Sequence, residues 1–208
     1  SGRALMSVEQ FILSNVLPYY ANSHTEASFC GGAMTGFRRA PRETVAACCG
    51  ANADHAVIFT GSGATSGLNR LVNLLGVNAA MSAGERPRIV IGPYEHHSNI
   101  LPWRESGAEI VEIAEAASGG PNLDELDAAL AGAGGRLVIC ALSAASNVTG
   151  IIADVGGLTK RVKATGAKLV WDYAGAGPYM SIAMEHAAGA LIDAVVVSPH
   201  KFIGGPAA

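Results

Sequence analysis

The chain is poor in the features that mark several large protein classes. It has only four cysteines in 208 residues, Cys30, Cys48, Cys49 and Cys140, and none forms a C-x-x-C pair. That spacing gives neither a disulfide framework nor a zinc knuckle, so no metal is expected and a reducing, cytoplasmic setting is favoured. Charged residues make up 15% and the formal net charge is −3. There is no basic excess to attract a nucleic acid or an anionic membrane. No apolar run approaches the ~20 residues of a membrane-spanning helix. The amino end lacks a starting Met and a signal-peptide pattern, and the carboxy end stops just after a motif. Both ends are therefore expected to be cuts in a longer protein.

What the chain does have is apolar and small residues: 50% hydrophobic, with 26 glycines. A chain of this size buries roughly 70% of its extended surface, so a single domain over 1–208 with one substantial core is expected. Short apolar runs, rich in Val and Ile, lie at Ala56–Thr60, Arg88–Gly92, Glu109–Ile113, Arg136–Leu142, Lys168–Asp172 and Ala194–Ser198. Near-continuous apolarity is the mark of strands covered on both faces. Helical patterns fall around Leu5–Val16, at Pro41–Cys49 with its opening proline, and at Thr65–Leu75 with Leu68, Leu71, Val72 and Leu75 on one face. Further ones follow Asn122, over Leu123–Ala131, and Asp154, over Val155–Ala164; both preceding residues are good N-caps. The alternation predicts an α/β fold, a largely parallel sheet with helices on both faces. Ligands of such sheets gather beyond the carboxyl ends of the strands.

Four segments sit at those ends. Thr60–Gly67 is a run of small residues between a strand and a helix, suited to a phosphate or to a plain tight turn. Glu95-His96-His97-Ser98-Asn99 carries a histidine pair; adjacent histidines do not share a helical face, which makes zinc a poor reading. Trp171-Asp172-Tyr173 ends an apolar strand in a carboxylate that either caps a turn or holds a protonated heterocyclic nitrogen. Ser198-Pro199-His200-Lys201 places an amine directly after a buried strand, either snorkelling to solvent or activated as a nucleophile. Together they supply a phosphate cradle, a stacking ring, a carboxylate and an amine. That set suits pyridoxal 5′-phosphate (PLP), an aldehyde on a pyridine ring with a phosphate arm.

In order along the chain, Glu95–Asn99, Ser146-Asn147-Val148-Thr149-Gly150, Asp172 and Ser198–Lys201 resemble the class V aminotransferase family of PLP enzymes, in its cysteine desulfurase-like branch. The resemblance runs from about Asn22 to Gly205. It implies the large domain of a fold type I PLP-dependent transferase, a three-layer αβα arrangement with a mostly parallel mixed sheet, whose smaller carboxy-terminal domain is missing here. It also implies a small-molecule amino-acid substrate and a homodimer. Lys201 resembles the lysine that forms the internal aldimine, Asp172 the partner of the pyridine nitrogen, and His96 the imidazole that stacks on the ring and moves protons. Asn147 resembles the side chain that bonds the cofactor's phenolic oxygen. Ala64 and Thr65, with Ser198 and His200, resemble the phosphate cup. The chain departs from the desulfurase pattern at Gly175, where a Gln is usual, at Ala64-Thr65, and at His24-Thr25-Glu26, which weakens cysteine as the substrate.

Two other readings stand beside this one. Gly61, Gly63 and Gly67 would serve a dinucleotide-binding oxidoreductase, but Glu95 falls late for the ribose and Lys201 is left unexplained. An inactive fragment, or a degenerate relative acting as a binding module, would keep the fold without turnover.

Overall fold

The computed structural model describes residues 3–131 and 134–205. In the sequence the fourth segment runs on from Lys201 to Pro206, which lies outside them. Two compact units are present: residues 1–59, 181–183 and 199–208 form one, and residues 60–180 and 184–198 the other.

The first unit holds α1 (Met6–Phe11), which passes into a π-turn at Ile12–Val16 and a 3₁₀ turn at Leu17–Tyr19. Pro18 has no N–H to give the ladder, so the expected helix does not continue regularly. The long α2 (Phe29–Cys48) is capped by Ser28, whose Oγ accepts from the Gly31 N–H at 3.1 Å. It starts well before Pro41, which was expected to open it and instead sits inside it. Phe11 packs edge-on against Phe37, with centroids 6.1 Å apart. The run Ala56–Thr60, expected as a strand, forms none. Arg42 holds it instead: Nε donates to the Val57 carbonyl at 3.1 Å and the guanidinium lies 5.1 Å over the Phe59 ring.

The second unit is a parallel sheet between helices. Its helices are α3 (Gly63–Leu74), α4 (Val77–Ser82), α5 (Leu101–Glu105), α6 (Leu123–Ala131) and α7 (Val155–Lys163). Its strands are β1 (Arg88–Ile91), β2 (Glu109–Glu112), β3 (Val138–Ser143), β4 (Lys168–Asp172) and β5 (Ala194–Val196), in the order β2-β1-β3-β4-β5. All four pairings among the described residues are parallel. Side chains alternate between the two faces. Ile89, Ile91, Ile139, Ala141, Val170 and Val196 pack with Leu68 and Val72 of α3, Val77 of α4 and Trp103 of α5. Val90, Cys140, Leu169 and Trp171 point the other way and are fully buried. There the Trp171 indole donates to Thr159 Oγ1 of α7 at 3.0 Å.

This alternation positions the chemistry. Ser143 continues the row of Ile139 and Ala141, and Asp172 that of Val170, so both polar strand ends lie on the α3 side. They are also register partners across β3 and β4. Among the described residues, no helix is long and apolar enough to cross a membrane.

Candidate active site

The turn into α3 needs glycine twice: Gly61 and Gly63 have φ of 91° and 62°, a region costly for other residues. The N-cap residue, Ser62, makes no side-chain capping bond. The Ala64 N–H donates instead to Ser198 Oγ at 3.0 Å, joining the start of α3 to the residue two places beyond β5. Thr65 Oγ1 and Ser98 Oγ are 3.0 Å apart. Ser98 in turn fixes His96: Nδ1 accepts from the Ser98 N–H at 3.1 Å and lies 2.7 Å from its Oγ. With Nδ1 accepting, the neutral ring carries its proton on Nε2. The His96 side chain is exposed, and His97 stands edge-on to it at 6.0 Å.

Asp172 is buried, at 4% exposure, at the last position of β4. Its Oδ1 accepts from the Ala174 N–H at 2.7 Å. A carboxylate held this dry is costly unless it meets donors or a cation. Asn147 is exposed in the turn after β3, which Ser146 shapes by accepting from the Thr149 N–H at 3.1 Å. A Cβ placed on Gly175 would lie 4.0 Å from the Asn147 Cβ. Of the expected residues, the structure thus joins Ala64 with Ser198 and Thr65 with His96 through Ser98. Lys201 and His200 belong to the other unit, in the 3₁₀ turn Pro199–Lys201. Lys201 is half-buried there, and His200 Nδ1 is buried without a hydrogen-bond partner.

The residues read from the sequence left out Glu95 as a site group, Ser143 and Asn99. Glu95 Oε1 accepts from the Ser143 N–H at 2.8 Å, and Oε2 accepts from Ser143 Oγ at 2.7 Å and Asn99 Nδ2 at 2.5 Å. Asn99 Oδ1 takes the Trp103 indole N–H at 3.1 Å. Burial pushes the Glu95 carboxyl up from its usual 4.5 to about 7, and the nearby Asp172 charge adds to the rise, against the hydrogen bonds from Ser143 and Asn99. Burial, then the Glu95 charge, also raises the Cys140 thiol. The signal available in the sequence was the four-residue spacing of Glu95 and Asn99 across a helix start.

The donor set can be tested against PLP. Asp172 is an acceptor for a ring N–H, His96 offers a flat face, and the start of α3 with the Ser198 hydroxyl offers donors to a phosphate. The residues present fit the group. Among the described residues, no cluster of three or more His, Cys, Asp or Glu could hold a metal ion.

Comparison with known proteins gives a family match and several relatives. The family model Aminotransferase class-V matches residues 7–207. A cysteine desulfurase of Enterobacter sp. (strain 638) is 35% identical over 168 residues, which cover 78% of this chain and 39% of that protein. A probable cysteine desulfurase of Pseudomonas putida is 32% identical over 203 residues, covering 94% and 48%. The apo structure of the cysteine desulfurase from Thermococcus onnurineus NA1 superposes with a TM-score of 0.78 at 26% identity, over 97% of this chain and 48% of that one. The chain spans under half the length of these curated relatives.

Proposed function

Because the chain belongs to the Aminotransferase class-V family, we propose that it is the cofactor-binding part of a PLP-dependent enzyme acting on an amino acid, as an aminotransferase or a desulfurase-like lyase. The observation that carries this is Asp172: a dry carboxylate at the carboxyl end of a parallel strand, on the same face as the open helix start. PLP, when bound, supplies an electron-poor ring that stabilises negative charge at the substrate's α-carbon.

This chain's residues do the rest. Asp172 holds a proton on the ring nitrogen, because a buried carboxylate favours the charged partner beside it. His96, with Nδ1 tied to Ser98, lays its ring against the cofactor face and offers Nε2 for proton movement. The α3 amides, Ser198 and His200 bind the phosphate, and Asn147 bonds the phenolic oxygen. Lys201 would hold the cofactor through Nζ, and that amine, once displaced by the substrate's own amine, would be free to move the α-carbon proton. The same reading carries a homodimer and a cytoplasmic setting; exposed Met6, Leu13 and Phe29 favour cover by a second copy.

The test is the protein mixed with PLP. An absorption band at about 410–430 nm is expected, absent in Lys201→Ala. Borohydride reduction followed by peptide mapping should leave the cofactor on Lys201. No band, or an unchanged band in the variant, refutes the proposal.

A further inference from the structure

The sheet order turns back between β1 and β3: the chain lays β2 on one side of β1, then β3, β4 and β5 on the other. In open parallel sheets the crevice at such a reversal is where a ligand meets the strand ends. Here the Glu95 side chain reaches across it. Glu95 follows β1 and fastens to Ser143, the last residue of β3, through both carboxylate oxygens.

We propose that Glu95 is a positioning residue: its carboxylate latches the His96-bearing segment to the end of β3, and so sets where the His96 ring stands relative to Asp172. Ser143 is the register partner of Asp172, so the latch is fastened to the residue beside that carboxylate. His96 is the next residue after Glu95, and its ring has no slack, being held at Nδ1 by Ser98. The other end is anchored in the core, since Asn99 and Trp103 are both fully buried and bonded to each other. Gly92 leaves the room: a Cβ there would stand 2.9 Å from Glu95 Oε1 and 3.1 Å from Leu142 Cδ2.

The hydrogen-bond pattern requires a carboxyl group. As an anion, Glu95 accepts from three donors. As an acid, it stays satisfied: the proton on Oε2 goes to Ser143 Oγ, whose hydroxyl reverses, while Asn99 and the Ser143 amide still donate. An amide fails in both orientations. Its NH₂ meets either the Ser143 N–H or the Asn99 NH₂, and Asn99 cannot turn without losing the Trp103 indole. The charge that reaches Glu95 is that of Asp172 on β4, and Glu95 in turn acts on the buried, neutral Cys140 thiol of β3. The latch therefore tolerates protonation near neutral pH without letting His96 go.

The bearing on cofactor binding rests on the PLP reading above; the latch itself does not. The experiment uses the protein with Glu95→Gln and Ser143→Ala, and with Glu85→Gln, an exposed carboxylate elsewhere, as control. Without cofactor, the His96 ring nitrogens are followed by NMR and the Ser143 amide by hydrogen exchange. With PLP, the dissociation constant is measured by equilibrium dialysis. In Glu95→Gln the His96 resonances should move, Ser143 exchange should rise about ten-fold, and PLP affinity should fall about ten-fold, the scale of one lost charge-assisted hydrogen bond. Ser143→Ala should move the same readouts less, and Glu85→Gln none. A folded Glu95→Gln with unmoved His96 resonances and PLP affinity changed less than about two-fold overturns the proposal. If Glu95→Gln does not fold, Ser143→Ala decides, and unmoved His96 resonances there overturn it. Failure of the unsubstituted protein to bind PLP sinks the cofactor reading, and the measurements without cofactor still judge the latch.

Discussion

Protonation of Glu95 should be visible in the stability of the whole protein. Its carboxyl rises from 4.5 to about 7 in the fold, so the folded state holds a proton that the unfolded chain has released. Stability from this group is fully present below about pH 4.5 and is lost as the pH climbs through 7. At about 1.36 kcal/mol per pH unit, the gap between 4.5 and about 7 is worth about 3 kcal/mol. Glu95→Gln removes the titration but adds a donor facing a donor, which costs about 1–3 kcal/mol at every pH. The variant is therefore less stable than the parent at low pH, and the deficit shrinks or reverses at high pH. The assay is urea unfolding of both proteins at steps from about pH 4.5 to pH 8. Other carboxylates cancel in the difference, so the difference itself should change by about 3 kcal/mol across that range. Parallel stability curves would refute both the raised carboxyl and the enclosed geometry behind it.

Three more outcomes follow from single contacts. Asp172→Asn keeps the bond from the Ala174 amide but loses the charge, so the PLP dissociation constant should rise roughly ten- to hundred-fold by dialysis. Thr159→Val strands the buried Trp171 indole N–H and should cost about 1–3 kcal/mol in denaturant unfolding, with cofactor affinity unchanged. Gly92→Ala sets a methyl against the Glu95 carboxylate, which three hydrogen bonds hold in place, so it should loosen Ser143 exchange in the same sense as Glu95→Gln.

Much of the second unit was legible because its inner strands β1, β3 and β4 are buried on both faces and so read as apolar runs. The segments read at 88–92, 109–113, 136–142, 168–172 and 194–198 became β1 to β5 within a few residues. The run at 56–60 looked the same and failed, because apolarity reports burial, and pairing also needs a neighbouring strand; Ile58 and Phe59 remain half-exposed. Pro41 misled in a different way. Proline favours a helix's first turn, yet α2 has its cap at Ser28 and runs through the proline. At the candidate site, Asp172, His96, Ser198 and Thr65 were marked by unusual polar residues at strand ends. Glu95 was not given its place, because its partner Ser143 comes beside it only once β1 and β3 lie side by side. Bonds between residues 48 positions apart leave no local pattern.

Cys140 lies wholly inside β3, whereas Cys48 sits open on the surface of the other unit. An alkylating reagent would therefore modify Cys48 promptly and reach Cys140 only when the central strand comes apart. Cys30 and Cys49 are partly exposed, so Cys140 is the last of the four thiols to be consumed, and the rate of that final step is a clock for the opening of the sheet, readable by mass alone and without any introduced label.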